Sequence, residues 1–328
     1  MACPRSDENT DLSADDPDMS LPLILGDKPR IALAFFGITR SLRLTHGSVR
    51  KNLVDPARAL GSDVRLFGHF YDQERIENPR SGESGPLDRK EYRLLDLDVV
   101  EREPPGDCLA QYSFDSLKAA GDPWKDGFVS LRNLVHQLHS LRRVTELALS
   151  WQPHLVIFAR PDLYYHDPVT AYLGLLSKAH RQWTLVPDWA QWRGVNDRFA
   201  IAKGDDAIRA YGLRANRLAE YCALGNAVHA EQFLKFALAD MPVRLLPLRA
   251  SRVRSNGMVV VEDFEPGRGQ GGARAVLPFD AFAKGLPLPA LPEPPEEPWL
   301  DDHPPITRLF ARLKSVLGAG IQVRKGIS

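Results

Sequence analysis

The residues best suited to chemistry lie in the segment 155–167, LVIFARPDLYYHD. Its first four residues are apolar and predict a short buried strand, which Arg160 and Asp162 follow directly. In open α/β sheets, ligands bind in the crevice outside the carboxyl ends of the strands. A carboxylate beside an arginine at such a position suits a metal-bridged phosphate. The competing interpretation is a strand exit with an aspartate in a turn and a local Arg–Asp ion pair.

A second candidate is the polar loop after the first predicted strand, in the stretch FFGITRS. Backbone amides that follow a strand at Gly37, together with Thr39, Arg40 and Ser41, can contact the phosphates or the base of a nucleotide. The loop contains neither GxGxxG nor GKS/T, which excludes a dinucleotide fingerprint and a P-loop. An ordinary turn between a strand and a helix is the alternative.

Two further groups of polar residues follow in the second half of the chain. Asn196 and Asp197, in GVNDRFAIA, precede an apolar strand and would be costly to bury unpaired. They either bind sugar hydroxyls or belong to a turn with a local Asp–Arg ion pair. Glu231 begins a predicted helix and is a candidate base, although a carboxylate there also suits the helix dipole. Arg252 and Arg254 alternate in SRVRSNG and point the same way on an extended strand, where they complete an anion site or face solvent.

Metal and nucleophile motifs are not evident in the sequence. His136 and His139 are three residues apart on a long predicted helix, without a third ligand at recognisable spacing, and we interpret them as packing or surface residues. The three cysteines are far apart and indicate reduced thiols in a cytosolic protein.

Composition excludes several classes of protein. The 328 residues are 44% hydrophobic and 26% charged, as in ordinary globular proteins. Lys+Arg and Asp+Glu both number 42, so no net charge attracts nucleic acid. The N-terminus lacks the pattern of a signal peptide, and no run of about 18 apolar residues predicts a membrane span.

Hydrophobic patterns predict the elements that position these residues. Strands are predicted over 30–37, 63–71, 155–158, 184–186, 198–202, 243–248 and 258–261. Helices are predicted over 48–59, 130–149, 204–211 and 231–238. Loops are predicted over 39–45, over 72–126 with a turn at 78–83, and over 266–274, the last of them mobile. The alternation of strands and helices predicts an α/β fold with a mixed, mostly parallel sheet between helices.

Composition also predicts the domain organisation. Residues 1–24 form a disordered acidic N-terminus, 25–286 one domain, 287–305 a stiff proline-rich linker and 306–328 a basic amphipathic tail. Such a tail can lie on an anionic membrane surface. Docking of this helix on the main domain or on a partner is the alternative.

Several segments together resemble a poorly characterised family of bacterial and plant glycosyltransferase-like proteins. They are FFGITRSL, NPRSGE, LRNLVHQLHSL, ARPDLYY, GVNDRFAIA, HAEQFL and RVRSNG, within residues 30–262. The resemblance implies a GT-A-like, Rossmann-like fold, in which a DxD motif at a strand end holds a divalent metal that bridges the donor diphosphate. That position here matches Arg160 to Asp162, so Asp162 alone carries over as a ligand for Mn²⁺ or Mg²⁺. Arg160 would replace part of the metal's charge.

The resemblance implies a nucleotide-sugar-dependent glycosyltransferase with a glycan or lipid acceptor, active in polysaccharide biosynthesis. Residues 37–41, Arg160, Arg252 and Arg254 would bind the donor nucleotide and its phosphates. Asn196 and Asp197 would bind donor or acceptor hydroxyls. The catalytic set would be Asp162, Asp197 and Glu231, with one of the last two as the base. The sequence does not decide between retention and inversion.

Two other functions fit the same residues. A sulfotransferase would bind a phosphosulfate donor on the loop 37–41 and on Arg252 and Arg254, without a metal. A non-catalytic protein that binds carbohydrate or nucleotide would keep the fold without turnover. For either enzyme we expect a cytoplasmic protein, peripheral to the inner face of the membrane and without a nucleic-acid partner.

Overall fold

The structure is a computed structural model that describes residues 28–106, 108–173, 182–265, 273–285 and 288. Its strands are β1 (Arg30–Gly37), β2 (Asp63–Tyr71), β3 (Arg75–Asn78), β4 (Glu83–Pro86), β5 (Val99–Glu103), β6 (Leu155–Ala159), β7 (Leu163–Tyr165), β8 (Trp183–Pro187), β9 (Phe199–Lys203), β10 (Val243–Leu246), β11 (Ala250–Val253), β12 (Met258–Glu262) and β13 (Ala273–Pro278). Its α-helices with both ends described are α1 (Leu42–Val49), α2 (Asp55–Ala59), α3 (Cys108–Gln111), α4 (Phe114–Ala119), α5 (Val129–Leu149), α6 (Asp205–Gly212), α7 (Leu218–Ala223), α8 (Ala230–Ala237) and α9 (Phe279–Ala283).

A seven-stranded sheet forms the centre of the fold, in the order β10-β8-β9-β6-β1-β2-β5. All neighbouring strands are parallel except β9, which runs antiparallel to β6 and to β8. This mixed, mostly parallel sheet between helices confirms the predicted Rossmann-like α/β class.

The continuous apolar sequence of β1 follows from burial on both faces of the sheet. Leu33 and Phe35 belong to the apolar cluster on the side of α1. Ala34 and Phe36 belong to a second cluster, which includes the C-terminal half of the buried stripe of α5. Successive side chains of a strand point to opposite faces, so one apolar strand supplies both cores.

A four-stranded antiparallel sheet, in the order β13-β12-β11-β7, lies beside the carboxyl end of β6. Strand β7 begins three residues after β6 ends, and it pairs with β11 so that Leu163 lies opposite Arg252. The backbone N–H of Val253 also donates to the carbonyl of Asp162 at 2.9 Å. This pairing brings the second arginine segment to the loop that follows β6.

The structure corrects several local predictions. The helix predicted from residue 48 begins at Leu42, so the predicted loop 39–45 is shorter, and residues 50–54 form a π-helical turn before α2. The region 72–126 contains the hairpin β3–β4 and the edge strand β5. Strand β5 has no clear strand signal because three of the five residues of VVERE are charged, and in the structure its two valines are exposed. Residues 273 and 274, predicted as mobile loop, begin β13.

Some predictions fall outside the described residues. They concern the acidic N-terminus 1–24, the linker 287–305 apart from residue 288, and the tail 306–328. The domain limits 25 and 286 therefore stay predictions. Among the helices that are described, none combines the length and the apolar composition needed to cross a membrane.

Candidate functional site

The candidate site lies where the order of the central sheet reverses. Strand β1 has β2 on one side and β6 on the other, with Phe35 opposite Ala159. The carboxyl ends of β1 and β6 therefore lie side by side, which is the usual position of a ligand crevice in such sheets. A cavity of about 760 Å³ lies there, and both loops that follow these strands line it. The two candidate loops therefore line one cavity.

Asp162 lies between two arginines in the wall of this cavity. Its Oδ1 accepts from Nε of Arg160 at 2.9 Å, and its Oδ2 accepts from Nη2 of Arg160 at 2.8 Å. Oδ2 also accepts from Nε of Arg40 at 3.2 Å. Burial alone would raise the pKa of Asp162, but Arg160 and Arg40 outweigh burial and lower it far below the ordinary value. The carboxylate is therefore ionised and fixes the planes of both guanidinium groups.

A second buried carboxylate, Glu83, continues this network. Its Oε2 accepts from Nη1 of Arg40 at 3.1 Å and from Nη1 of Arg254 at 2.7 Å. Oε2 also accepts from the Ser81 hydroxyl at 2.7 Å, and Oε1 accepts from the Ser255 backbone N–H at 3.0 Å. Burial raises the pKa of Glu83, but these partners lower it below the ordinary value. The first residue of β4 thus supplies an ionised carboxylate to the arginine network.

A third carboxylate, Glu262, holds the remaining arginines. Its Oε1 lies 2.9 Å from Nη1 of Arg198 and 2.9 Å from Nη2 of Arg252. Burial and the neighbouring Arg198 lower the pKa of Arg252 to about 9. The Nε of Arg252 is buried and has no hydrogen-bond partner in the described part of the chain. Arg252 therefore lacks part of the neutralisation that its burial requires.

Five arginines lie on this side of the cavity wall. The guanidinium groups are those of Arg40, Arg160, Arg198, Arg252 and Arg254, and the carboxylates that they share are those of Asp162, Glu83 and Glu262. Five guanidinium groups share three carboxylates on this side, and Arg75, Glu77, Asp197 and Glu231 also line the cavity, so the site as a whole is close to neutral. Arginine binds phosphate oxygens in a planar, bidentate manner, so this wall suits an anion with more than one phosphate.

Two further carboxylates line the same cavity, outside the arginine pairs. Oδ2 of Asp197 accepts from Nε2 of Gln137 at 3.0 Å, and Oε1 of Gln137 accepts from Nη1 of Arg160 at 2.9 Å. Glu231 lies 3.2 Å from Nδ1 of His229, whose ring stacks on Trp124 with centroids 5.3 Å apart. The wall thus combines an anion-binding part with carboxylates that can accept a proton, or a hydrogen bond from a hydroxyl group.

The structure separates the predicted site residues into two groups. Those that line the cavity are Gly37, Arg40, Arg160, Asp162, Asp197, Glu231, Arg252 and Arg254. The residues that do not line the cavity are Thr39, Ser41 and Asn196. Ile38, which precedes Thr39 in the same loop, lines it. The Ser41 hydroxyl donates to the Val253 carbonyl at 2.8 Å, and the Asn196 amide donates to the Trp189 carbonyl at 2.7 Å. The side chains of Ser41 and Asn196 therefore fix the loops that carry the site.

The arginine partners of Asp162 occupy the oxygens that the sequence assigned to a metal. Among the described residues, a different group has the composition and spacing to hold a metal ion, formed by His69, Glu103 and His139. The sequence predicts a packing or surface role for His139, and no sequence signal marks His69 or Glu103. These ligand atoms lie within 4.8 Å of one another, on three elements that are far apart in sequence.

Comparison with solved structures gives several matches, among them a xylosyltransferase of low similarity. The apo form of mouse xyloside xylosyltransferase 1 matches with 10% sequence identity and a TM-score of 0.35, over 67% of this chain and 85% of that one. No protein-family model matches the chain, and no curated protein matches it. A similarity this low carries no functional argument, so the proposal below rests on the geometry of the cavity.

Proposed function

We propose that this protein is a glycosyltransferase that uses a nucleotide-sugar donor. The observation that carries the proposal is the contact of Arg40 and Arg160 with one ionised carboxylate, Asp162, at the carboxyl ends of adjacent parallel strands. The donor diphosphate would bind to these arginines and to Arg252 and Arg254. Their guanidinium groups can bind phosphate oxygens in a planar, bidentate manner, which suits a diphosphate group.

Charge neutralisation by arginine would replace a metal at Asp162. When the glycosidic bond to the diphosphate breaks, negative charge develops on the departing oxygen. Preorganised donors aimed at that charge stabilise the transition state more than the ground state. Asp162 holds both guanidinium groups in place before the donor arrives, so it acts as a positioning residue in this proposal.

The acceptor hydroxyl would be activated by a carboxylate of the same cavity. Asp197 is connected to the diphosphate subsite through Gln137 and Arg160, so it is our first candidate for the base. Glu231 and the stacked pair of His229 and Trp124 would form the acceptor side, because aromatic faces pack against sugar rings. The acceptor is proposed to be a glycan or a lipid.

A sulfotransferase is the second candidate, because an arginine wall without a metal also suits a phosphosulfate donor. Thermal-shift measurements separate the candidates. The ligands are uridine, guanosine, cytidine and adenosine diphosphates and adenosine 3′,5′-bisphosphate, each with manganese and with a chelator. We expect a nucleoside diphosphate to raise the melting temperature equally in both conditions. A response to the bisphosphate alone would support the sulfotransferase instead.

Turnover separates an enzyme from a binding protein. Nucleotide-sugars that carry the diphosphate selected by the thermal shift should be hydrolysed slowly without acceptor and faster with glycan or lipid acceptors. Binding without any release of the diphosphate would support the non-catalytic alternative. A manganese requirement for both binding and release would contradict the arginine mechanism while leaving the glycosyltransferase proposal in place.

We further propose that the basic tail 306–328 places the enzyme on the cytoplasmic face of an anionic membrane. Arg308, Arg312, Lys314, Arg324 and Lys325 supply its positive charge. Vesicles with anionic lipid should carry the full chain, but not a chain truncated after Pro305, in flotation. Equal flotation of both proteins would contradict a membrane role for the tail.

A further inference from the structure

We infer that His69, Glu103 and His139 form a binding site for one transition-metal ion of the zinc class, separate from the arginine cavity. His69 lies near the end of β2, Glu103 is the last residue of β5, and His139 lies on α5. Nε2 of His139 lies 2.9 Å from Oε1 of Glu103, and Nε2 of His69 lies 3.7 Å from the same oxygen. None of the three residues is among those that line the cavity.

The three facing atoms, which are Nε2 of His69, Oε1 of Glu103 and Nε2 of His139, all lack a hydrogen bond within the described residues. Each of these atoms is buried. The side chains of His69 and His139 are 0% and 2% exposed, so solvent does not compensate for the missing bonds. A buried polar group without a partner destabilises the folded state. Three such atoms converging on one point indicate a cation that all three bind.

The hydrogen bonds of Ser140 assign the tautomer of His69. The Ser140 hydroxyl lies 2.7 Å from the His69 carbonyl, which can only accept, so its hydrogen is donated there. Its oxygen accepts from the Gly37 N–H at 2.8 Å and lies 3.0 Å from Nδ1 of His69. Nδ1 must therefore carry the proton. Nε2 of the neutral ring then directs a lone pair toward the Glu103 carboxylate, an arrangement that repels unless a cation lies between them.

His139 is held in a corresponding way. Its Nδ1 lies 3.1 Å from the Tyr112 hydroxyl, and donation to that oxygen leaves a lone pair on Nε2 as well. Metal-binding histidines commonly donate their second ring N–H to an outer partner, which fixes the ring. Ser140 and Tyr112 supply such partners here.

The spacing fits a tetrahedral ion of the size of zinc. Zinc–ligand distances of about 2.0–2.2 Å place the ligand atoms of a tetrahedral site roughly 3.3–3.6 Å apart. The two measured separations, 2.9 and 3.7 Å, lie on either side of that range. Two imidazoles and one carboxylate favour zinc and related transition metals over magnesium. Three protein ligands leave a fourth position for water.

The surrounding charges permit a cation. Arg142 and Arg143 are the nearest basic residues, and Arg143 pairs with Glu101 at 2.7 Å and with Glu146 at 2.7 Å. The carboxylates of Glu101, Glu103 and Glu146 outnumber these arginines by one. A bound ion would join β2, β5 and α5, and Ser140 would connect it to the backbone of Gly37. The metal would therefore stabilise the edge of the sheet that supports the donor loop.

Zinc binding to the full chain tests this inference. The protein is first treated with a chelator and dialysed, then titrated with Zn²⁺ in a calorimeter. We expect one ion per chain and a melting temperature that rises with zinc concentration. Glu103→Gln should weaken binding by more than the roughly 10- to 100-fold that the loss of an outer partner costs. The Glu103 side chain is 30% exposed at a strand end, so this variant should fold.

His136→Gln is the matched control. His136 lies on the same helix, and its Nδ1 bonds to the Arg132 carbonyl rather than to the proposed site. This variant should bind zinc like the wild type, whereas His69→Gln should behave like Glu103→Gln. Co²⁺ bound to the wild type should give the visible absorption of a tetrahedral site. Absence of zinc binding by the wild type would overturn the inference, as would undiminished binding by both Glu103→Gln and His69→Gln.

Discussion

Arg40 and Asp162 are 122 residues apart in sequence, and Nε of Arg40 lies 3.2 Å from Oδ2 of Asp162. The contact is long-range but follows from the topology, since β1 and β6 are parallel neighbours whose carboxyl ends meet. Arg40 also donates to Glu83, so its guanidinium group has fixed partners on two sides. A ligand phosphate would meet a side chain that is already ordered.

We predict that Arg40→Ala weakens nucleoside diphosphate binding. Loss of a charge-assisted hydrogen bond costs about 1.5–3 kcal/mol, or roughly ten- to a hundredfold in affinity. Calorimetric titration measures the change, and Arg40→Lys, which keeps the charge but loses the planar fork, should recover only part of the affinity. Arg43→Ala is the control, because Arg43 lies one residue into α1 with its side chain 54% exposed. Equal affinity of wild type and Arg40→Ala would refute the shared donor site.

We predict that Asp162→Asn folds but loses at least a hundredfold in sugar transfer. The amide keeps one acceptor oxygen, but it no longer balances the charges of Arg40 and Arg160. Removing one partner of a buried ion pair costs roughly 3–5 kcal/mol in stability, so the melting temperature should fall too. Turnover is measured well below that temperature, after near-ultraviolet circular dichroism has shown an intact core.

Asp167→Asn separates the loss of a buried charge from the loss of function. Asp167 is 4% exposed and accepts from the backbone N–H and Nε of Arg249, both at 2.9 Å, but it is not among the residues that line the cavity. This variant should lose stability and retain transfer. Transfer by Asp162→Asn at the wild-type rate would remove Asp162 from the mechanism.

The elements with strong local signals were predictable from the sequence. Strands β1 and β2 and helix α5 have long apolar patterns, and the structure has them within one residue of the predicted limits. The loops containing Arg40 and Asp162 were predictable too, because ligands collect at the carboxyl ends of parallel strands. The hydrophobic pattern did not predict which carboxylates pair with the arginines.

The partners could not be predicted because they depend on contacts distant in sequence. Glu83 begins the short polar strand β4 and Glu262 ends an apolar strand, and neither has a spacing that marks a site. His69 and Glu103 likewise meet His139 only because β2 pairs with β5 under α5. A spacing rule detects metal ligands that lie on one helix or strand. These three ligands lie on three different elements, so no spacing in the sequence marks them.

We predict that Asp188→Asn stabilises the protein at neutral pH. Burial raises the pKa of Asp188 from 3.8 to about 6. The folded state therefore holds a proton that the unfolded state releases between pH 4 and 6, so stability falls as pH rises through that window. The amide variant does not ionise. Its gain should be near zero at pH 4 and reach at most about 3 kcal/mol above pH 7, at roughly 1.4 kcal/mol per pKa unit.

Urea denaturation at pH 4 and at pH 8 measures this dependence. The exposed Asp63 provides the control, since Asp63→Asn should change stability little at either pH. A gain from Asp188→Asn that is the same at both pH values would show that the effect comes from something other than ionisation.

Gly194→Ala should impair the part of the cavity that carries the proposed base. A Cβ atom at Gly194 would lie 2.1 Å from the backbone carbon and oxygen of Glu231, where the chain cannot move without displacing the start of α8. The next residue, Val195, donates its N–H to the Glu231 carbonyl at 2.9 Å, so the same displacement breaks a hydrogen bond. Overpacking of this kind typically costs 1–3 kcal/mol or more. Because this contact joins the loop of Asp197 to the helix of Glu231, transfer should fall more than donor binding.

Gly47→Ala is the control. Gly47 is exposed in α1, with open space at its Cβ, so this substitution should stabilise the protein by up to about 1 kcal/mol. Melting temperatures and transfer rates are measured for both variants. Unchanged stability in Gly194→Ala would contradict the close packing of this loop on α8.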